Sequence, residues 1–275
     1  MDVEVRSLMD KIEVCQKVKR AIRHILIENQ GSVLSSGTGI VVKPDGTLIT
    51  AKHVMEKENI GVYHGKITVK GTETERIEYQ IATTGFGFDI DFSDCVNPIG
   101  IDLAVLKPVK QIQDSDFIPL CADLAEVGTD IIIGGFPDDV KLPFDFLDKL
   151  NKENPEMVAV KEKIDKQFKF YFRQLMFKHA MIGHAQKIKL NNFDVSKLGL
   201  KNLTEISVIG ATYWIDNHLT YGGSGGPVVN LNGELLGIIC EKAFTDSKMI
   251  TPREFPSGTG MALSHHLISW LINYL

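Results

Sequence analysis

The stretch TYGGSGGPVVNLNGELLGI, residues 220–238, places Ser224 among four glycines and ahead of two apolar runs. Glycine loses more backbone freedom on folding than any other residue, so such a cluster indicates a sharp turn or a close approach by another group. Asn232-Gly233, between the apolar runs, is the strongest short-range signal for a β-hairpin. The stretch therefore predicts a serine on a glycine loop, followed by two paired strands.

The predicted hairpin decides between two known arrangements of a reactive serine. Gly222, Ser224 and Gly226 satisfy the pattern G-x-S-x-G, which requires a helix directly after the serine and places its acidic and histidine partners later in the chain. Here Pro227 and a strand pair follow instead. The second arrangement has the order His, Asp, Ser and lies on a β-barrel scaffold. The context of Ser224 favours this second order.

A histidine and an aspartate earlier in the chain complete that order. LITAKHVME places His53 at the end of an apolar strand, and IDLAVLK places Asp102 in a strand whose neighbours are all apolar. A carboxylate in such surroundings is costly unless it is paired. A serine hydroxyl is a weak nucleophile, so it needs a histidine to accept its proton and an acid to orient that histidine. We therefore expect a catalytic triad of His53, Asp102 and Ser224, with the first two in one barrel and the serine in another.

The overall composition excludes several classes of partner. The chain has 275 residues, is 44% hydrophobic and carries a formal net charge of -5, as is ordinary for a folded protein with a sizeable core. It contains no sustained block of Lys and Arg, so we expect neither nucleic acid nor a membrane as a partner. The N-terminus does not resemble a signal peptide and no apolar run is long enough to span a bilayer, which predicts a cytoplasmic protein.

The cysteines and the other metal-ligating residue types indicate no cofactor. The four cysteines are far apart and lack CxxC spacing, which in a reducing compartment predicts free thiols: Cys15, Cys95, Cys121 and Cys240. No group of His, Cys and Asp residues has the spacing of metal ligands. We therefore expect neither a metal nor an organic cofactor.

Strand patterns fill most of the chain, and helices are predicted at both ends. Short β-branched runs, such as GTGIVVK and TDIIIGGF, recur between Gly, Pro and Asp residues and predict an all-β barrel or sandwich. The segment KPDGT predicts a tight hairpin through Pro44, Asp45 and Gly46. Apolar residues at helical spacing predict helices over residues 1–20 and 264–275.

A segment of different composition interrupts the strand pattern at about residues 140–177. This segment is rich in charge and poor in glycine, with Met157, Val160, Ile164 and Phe168 at helical spacing. An α-helical insertion is predicted here. Its apolar stripe is typical of a helix that packs on the barrel.

Five segments together resemble the successive landmarks of trypsin-like serine proteases, and most closely those of the HtrA (DegP-like) branch. They are SGTGIVVKPDGTLITAKHV, GIDLAVLKPV, EVGTDIIIGGFPDDV, GGSGGPVVNLNGELLGI and SGTGMAL. The resemblance implies a mainly β fold of two six-stranded antiparallel barrels in one protease domain, with the first barrel over residues 21–120 and the second over 121–265. It also implies a serine endopeptidase that cleaves polypeptides through an acyl-enzyme intermediate.

The same resemblance assigns roles around Ser224. The backbone N–H groups of Gly222 and Ser224, with Gly223 between them, would form the oxyanion hole. Pocket and substrate contacts would come from His218, Leu219, Thr220, Ile239, Cys240, Glu241, Gly260 and Met261. No acidic residue is expected at the pocket base, which predicts a preference for small or medium apolar residues rather than Lys or Arg. A solvated loop histidine is an equal interpretation of His218, and Cys240 is interpreted as a small packing residue rather than a second nucleophile.

Departures from the family pattern concern activation. Gly223 stands where secreted digestive members carry an acidic residue that pairs with a newly formed N-terminal amine, so we expect control by loop ordering or by a partner instead. No PDZ domain is expected after SGTGMAL. We expect the insertion at about 140–177 to bind a regulatory protein or to mediate self-association. The alternative is a protease-fold binding or scaffold protein whose site is latent or unused.

Overall fold

Two closed β-barrels account for most of the part of the chain that the structure describes. The computed structural model describes residues 11–29, 32–55, 66–70, 76–84, 87–92, 95–137, 156, 158–160, 175–193, 206–217, 222–246 and 254–273. In each barrel the strand pairs are antiparallel and every strand has two neighbours.

The first barrel is closed by six strands in the order β1-β2-β3-β8-β5-β4. These strands are β1 (Ile22–Asn29), β2 (Ser32–Val41), β3 (Leu48–Thr50), β4 (Lys66–Lys70), β5 (Arg76–Thr84) and β8 (Ala104–Pro108). Between β5 and β8 the chain forms a separate two-stranded sheet from β6 (Gly87–Phe92) and β7 (Cys95–Gly100). Closure leaves no open sheet edge in the barrel, which protects it from pairing with other chains.

The second barrel is closed by six strands in the order β10-β11-β14-β13-β12-β9. These strands are β9 (Asp130–Gly135), β10 (Met176–Phe193), β11 (Ile206–Ile215), β12 (Pro227–Val229), β13 (Leu235–Asp246) and β14 (Glu254–Ser264). The predicted fold of two six-stranded antiparallel barrels is therefore confirmed.

Helices lie outside the barrels. Residues 11–18 are α-helical and continue into the 3-10 turn Lys19–Ala21, a short helix spans Lys52–Met55, and the C-terminal helix spans His265–Asn273. Residues 158–160 are helical, within the predicted insertion, most of which lies outside the described residues. Within the part of the chain that the structure describes, no helix combines the length and apolar character needed to span a membrane.

Branched apolar side chains fill both barrels. Alternate residues of a strand face the same side, so runs such as DIIIGG bury Ile131 and Ile133 in the second barrel together with Tyr213. In the first barrel the core includes Ile25 and Ile40, both without solvent exposure. These cores give the loops at the barrel ends a rigid base.

Both predicted hairpin turns are present. Between β2 and β3, Gly46 has a φ of 82°, and the Asp45 Oδ1 atom accepts the Thr47 N–H at 2.9 Å. Between β12 and β13, Gly233 has a φ of 75°, and the Asn230 Oδ1 atom accepts the Glu234 N–H at 2.9 Å across the turn. Positive φ is where glycine is strongly favoured, which is why the sequence located both turns.

The predicted local structure at His53 and at Asp102 is wrong. The strand β3 ends at Thr50, and the Ala51 carbonyl accepts the Val54 N–H at 3.2 Å, so His53 lies on the first turn of a short helix rather than in a strand. The Leu103 N–H donates to the Ile101 carbonyl at 2.9 Å, which closes a three-residue turn around Asp102 before β8 begins. Both residues thus lie just outside the first barrel's sheet.

Candidate active site

Asp102 is bonded to His53 at two points. Its Oδ2 atom lies 2.6 Å from His53 Nδ1, and its Oδ1 atom accepts the His53 backbone N–H at 2.9 Å. A carboxylate only accepts hydrogen bonds, so the ring proton lies on Nδ1 and the Nε2 atom is left as an acceptor. The His53 side chain is 46% exposed, so part of the ring is accessible from outside the barrel. The pair can therefore accept a proton at a defined atom.

The loop that carries Ser224 contacts the first barrel at β2 and at the end of β3. The Ser224 carbonyl accepts the Thr38 N–H of β2 at 2.9 Å. A Cβ atom added to Gly225 would overlap the Thr38 carbonyl oxygen and the Thr50 hydroxyl, so the loop passes directly against the end of β3. His53 follows Thr50 by three residues. The structure thus brings the serine loop to the segment from which His53 projects.

Hydrogen bonds hold the carbonyl groups of Gly222 and Gly223. The Gly222 carbonyl accepts from the Thr38 hydroxyl at 2.7 Å, and the Gly223 carbonyl accepts from the Gly226 N–H at 2.9 Å. A trans peptide directs its N–H opposite to its carbonyl. No other described residue accepts a hydrogen bond from the N–H of Gly222 or Ser224. Because the Gly223 carbonyl shares its peptide unit with the Ser224 N–H, the bond from Gly226 fixes the direction of that N–H, and the oxyanion hole of Gly222 and Ser224 stays a prediction.

The glycines are required by contact as well as by conformation. Gly222 and Gly225 have φ values of 88° and 80°, in the region that other residues rarely adopt. A Cβ atom on Gly226 would overlap the carbonyl oxygen of Gly134 in β9. The glycines around Ser224 therefore allow sharp turns at Gly222 and Gly225 where the loop contacts both barrels.

The residues predicted to bind substrate are described only in part. His218, Leu219 and Thr220 lie outside the described residues. Glu241 pairs with Met261 between β13 and β14, and Lys242 pairs with Gly260, so these residues share one part of the sheet. Met261 is partly buried and Gly260 is buried. The specificity pocket itself stays a prediction.

The side chains of Ile239 and Cys240, both predicted to contact substrate, are buried. The Ile239 side chain packs in the core of the second barrel, while its backbone carbonyl and N–H bind Gly225 at 2.7 Å and Gly226 at 2.9 Å. Cys240 is 1% exposed, and its Sγ atom lies 3.6 Å from the Asp102 carbonyl oxygen. The Ile239 backbone therefore holds the glycine loop through two hydrogen bonds, and Cys240 packs against the backbone of Asp102.

One residue that contacts the loop was not among the sequence candidates. Thr38 is fully buried in β2 and bonds to both Gly222 and Ser224. Its sequence signal is weak: a threonine between Gly37 and Gly39, in a strand that contains serines as well as branched apolar residues. A small residue on either side of a polar one indicates a close approach by another segment, but it does not identify that segment.

Among the described residues, no group of three or more His, Cys, Asp or Glu side chains is arranged to hold a metal ion. The free cysteines that the structure describes are Cys15, Cys121 and Cys240. Cys15 is a poor nucleophile, because burial raises the pKa of its thiol.

Two closed barrels, with a histidine–aspartate pair on the first and a serine on a glycine loop of the second, define the class of trypsin-like serine proteases. The chain belongs to this family, since it matches the trypsin-like peptidase domain over residues 37–238. It is accordingly a hydrolase of the serine endopeptidase class. No curated protein matches the chain.

Solved protease structures share the fold. The active form of the Rv3671c protease from Mycobacterium tuberculosis superposes with a TM-score of 0.54 at 18% identity, over 97% of this chain and 85% of that one. Its inactive form gives 0.52 at 17% identity, over 97% and 94%. The serine endoprotease from Yersinia pestis gives 0.56 at 17% identity, over 95% of this chain and 65% of that chain. The predicted resemblance to HtrA-like proteases is thus confirmed at the level of the fold.

Proposed function

We propose that the chain cleaves polypeptides through a triad of His53, Asp102 and Ser224 and an acyl-enzyme intermediate. The observation that carries this proposal is the two-point bond between Asp102 and His53, which leaves His53 Nε2 as a proton acceptor. The second support is the glycine loop, which is fixed against the segment that precedes His53. An unused site would have no reason to keep both features.

Each step of the reaction uses one of these groups. His53 Nε2 takes the proton of the Ser224 hydroxyl as the oxygen attacks the substrate carbonyl, and the N–H groups of Gly222 and Ser224 bind the resulting oxyanion. His53 then gives the proton to the leaving amine, and the acyl-enzyme remains. A water molecule, deprotonated by His53, releases the acid product and regenerates Ser224. Asp102 stabilises the imidazolium that forms twice in the cycle.

The proposed substrate class is an extended polypeptide, and the support for it is one edge of strand β13. Up to Ile238 this strand pairs with β12, and Ile239 binds the glycine loop, whereas from Glu241 to Asp246 its described partners lie only in β14. On the opposite edge of this segment we expect an extended peptide to bind, adding to the sheet through main-chain hydrogen bonds. A preference for small or medium apolar residues before the scissile bond is expected, and a peptide library tests it. A profile dominated by Arg would contradict it.

Control of the site is proposed to involve the insertion at about residues 140–177. It leaves the second barrel shortly after β9, the strand whose end touches the glycine loop at Gly226. A protein bound to the insertion would favour one arrangement of the loop through differential binding. Replacing residues 142–174 by a Gly/Ser linker should change cleavage or oligomeric state. Unchanged cleavage and unchanged mass in solution, with and without a candidate partner, would leave only a packing role.

The test of the proposed reaction is cleavage of an unfolded polypeptide. Purified wild-type protein should cut fluorescein-labelled casein, and Ser224→Ala should not, while both show the same thermal unfolding. A protein whose site is latent would show no cleavage by either form until a partner is added. Cleavage by Ser224→Ala at the wild-type rate would overturn the assignment.

A further inference from the structure

Thr38 uses all of its hydrogen-bonding groups at the junction of the two barrels. Its backbone N–H donates to the Ser224 carbonyl at 2.9 Å, and its carbonyl accepts from the Thr50 hydroxyl at 2.7 Å. Its own hydroxyl bonds to the Gly222 carbonyl at 2.7 Å and to the Phe136 N–H at 3.0 Å. The residue has no solvent exposure. One threonine of the first barrel thus binds the serine loop at two carbonyls.

The direction of the hydroxyl proton is fixed by the second barrel. A backbone N–H only donates, so Phe136 must occupy a lone pair of the Thr38 Oγ1 atom. A carbonyl only accepts, so the single hydroxyl proton points to Gly222. The Thr38 hydroxyl therefore connects the N–H of Phe136, the residue that follows β9, to the carbonyl of Gly222 in one defined orientation.

This link constrains the peptide unit between Gly222 and Gly223. The two predicted oxyanion donors belong to the peptide units on either side of it, because the N–H of Gly222 precedes it and the N–H of Ser224 follows it. Glycine restricts backbone rotation little, and the described bond inside the loop that opposes rotation is the one from the Gly226 N–H to the Gly223 carbonyl at 2.9 Å. The bonds from Thr38 to the carbonyls of Gly222 and Ser224 oppose that rotation from outside.

We propose that Thr38 is a positioning residue that holds the N–H groups of Gly222 and Ser224 in the direction of the oxyanion. The inference rests on the proposed function, because it assumes that Ser224 is the nucleophile. Oxyanion donors act in the transition state and not on the bound substrate. Loss of the Thr38 hydroxyl should therefore lower kcat and leave KM unchanged.

The test compares Thr38→Val, which keeps the shape but removes the hydroxyl, with Thr38→Ser, which keeps the hydroxyl. We expect Thr38→Val to lower kcat for casein peptides and the rate of fluorophosphonate labelling by about 100-fold, as for a small misplacement of catalytic groups. Thr38→Ser should restore most of both rates. The matched control is Thr68→Val, which removes another buried threonine hydroxyl of the first barrel, one whose described partners are the Glu28 Oε2 atom at 3.2 Å and the Leu26 carbonyl at 3.3 Å, both in β1. This control should keep the wild-type kcat.

The outcomes separate the two proposals. Wild-type protein that is not labelled at all would overturn the proposed function, and the positioning role with it. Labelling of wild type and of Thr38→Val at the same rate would overturn the positioning role alone. If Thr38→Val does not fold, Thr38→Ala against Thr38→Ser carries the same comparison. A failure of both hydroxyl-free variants to fold would show a structural role and would also overturn the inference.

Discussion

Asp102 holds the ring and the backbone of His53 at the same time, with Oδ2 2.6 Å from Nδ1 and Oδ1 2.9 Å from the backbone N–H. The backbone bond fixes the first turn of the short helix, and the ring bond fixes the tautomer. Because both bonds come from one carboxylate, a change of this side chain alters the protonation of His53 without removing the histidine.

Asp102→Asn should therefore reduce turnover strongly while the fold survives. An asparagine still accepts from the His53 backbone N–H, but its amide donates to Nδ1 and moves the ring proton to Nε2. The loss in kcat expected from this wrong tautomer is about 10,000-fold. Steady-state kinetics on casein peptides measure it, with the thermal unfolding midpoint as the control. A variant with wild-type kcat would show that Asp102 does not orient the histidine.

Gly225→Ala should disable the serine loop, and Gly128→Ala provides the matched control. Both glycines have positive φ, at 80° and 89°. A Cβ atom on Gly128 would meet no atom within 4 Å, whereas on Gly225 it would overlap Thr38 and Thr50. Gly128→Ala should cost only the backbone strain, about 1 to 2 kcal/mol of unfolding free energy in denaturant titrations. Gly225→Ala should cost more and should also abolish casein cleavage. Equal losses of stability and of cleavage in the two variants would show that the contacts around Gly225 are not what makes a side chain costly there.

Local patterns predicted a barrel or sandwich of strands, the glycine loop and three candidate residues, and the resemblance to trypsin-like proteases supplied the two six-stranded barrels. Alternation marks strands, Asn-Gly marks the hairpin, and polar residues among apolar ones mark His53 and Asp102. The short helix at His53, the turn at Asp102 and the role of Thr38 were not predicted. They depend on contacts between distant segments, such as the bond from Thr38 to Gly222, 184 residues apart. The spacing of apolar and polar residues along the chain does not reveal such a contact between distant segments.

Stability should fall in mild acid because of His265. Burial is the main cause that lowers the pKa of this histidine, and nearby His266 lowers it further, while a bond to the Leu236 carbonyl acts in the opposite direction. Below the ordinary histidine value of about 6.5 the unfolded chain therefore binds a proton that the folded chain does not. Each pH unit in that window should lower the unfolding free energy by up to about 1.4 kcal/mol.

Denaturant titrations between about pH 7.5 and about pH 5.5 measure this slope. The control is His265→Asn, which removes the titrating ring but retains a side-chain donor for the Leu236 carbonyl. Its slope should be shallower than that of wild type. An equal or steeper slope in His265→Asn would assign the acid sensitivity to other groups.

Chelation should leave cleavage unchanged. Acyl transfer by a serine, a histidine and an aspartate needs no metal, since the nucleophile is activated by the imidazole and the oxyanion is bound by N–H groups. Casein cleavage with and without EDTA tests this, with the unfolding midpoint measured in both. Loss of activity in EDTA and its recovery on addition of a divalent ion would mean that a metal supports the fold or the reaction.

Covalent labelling with a fluorophosphonate, followed by peptide mass mapping, shows whether Ser224 is a nucleophile activated by His53. We expect one adduct on the peptide that contains Ser224, its absence in Ser224→Ala and a greatly slowed reaction in His53→Ala. An adduct on another residue, no adduct in the folded wild-type protein, or labelling of His53→Ala at the wild-type rate would contradict this role of Ser224.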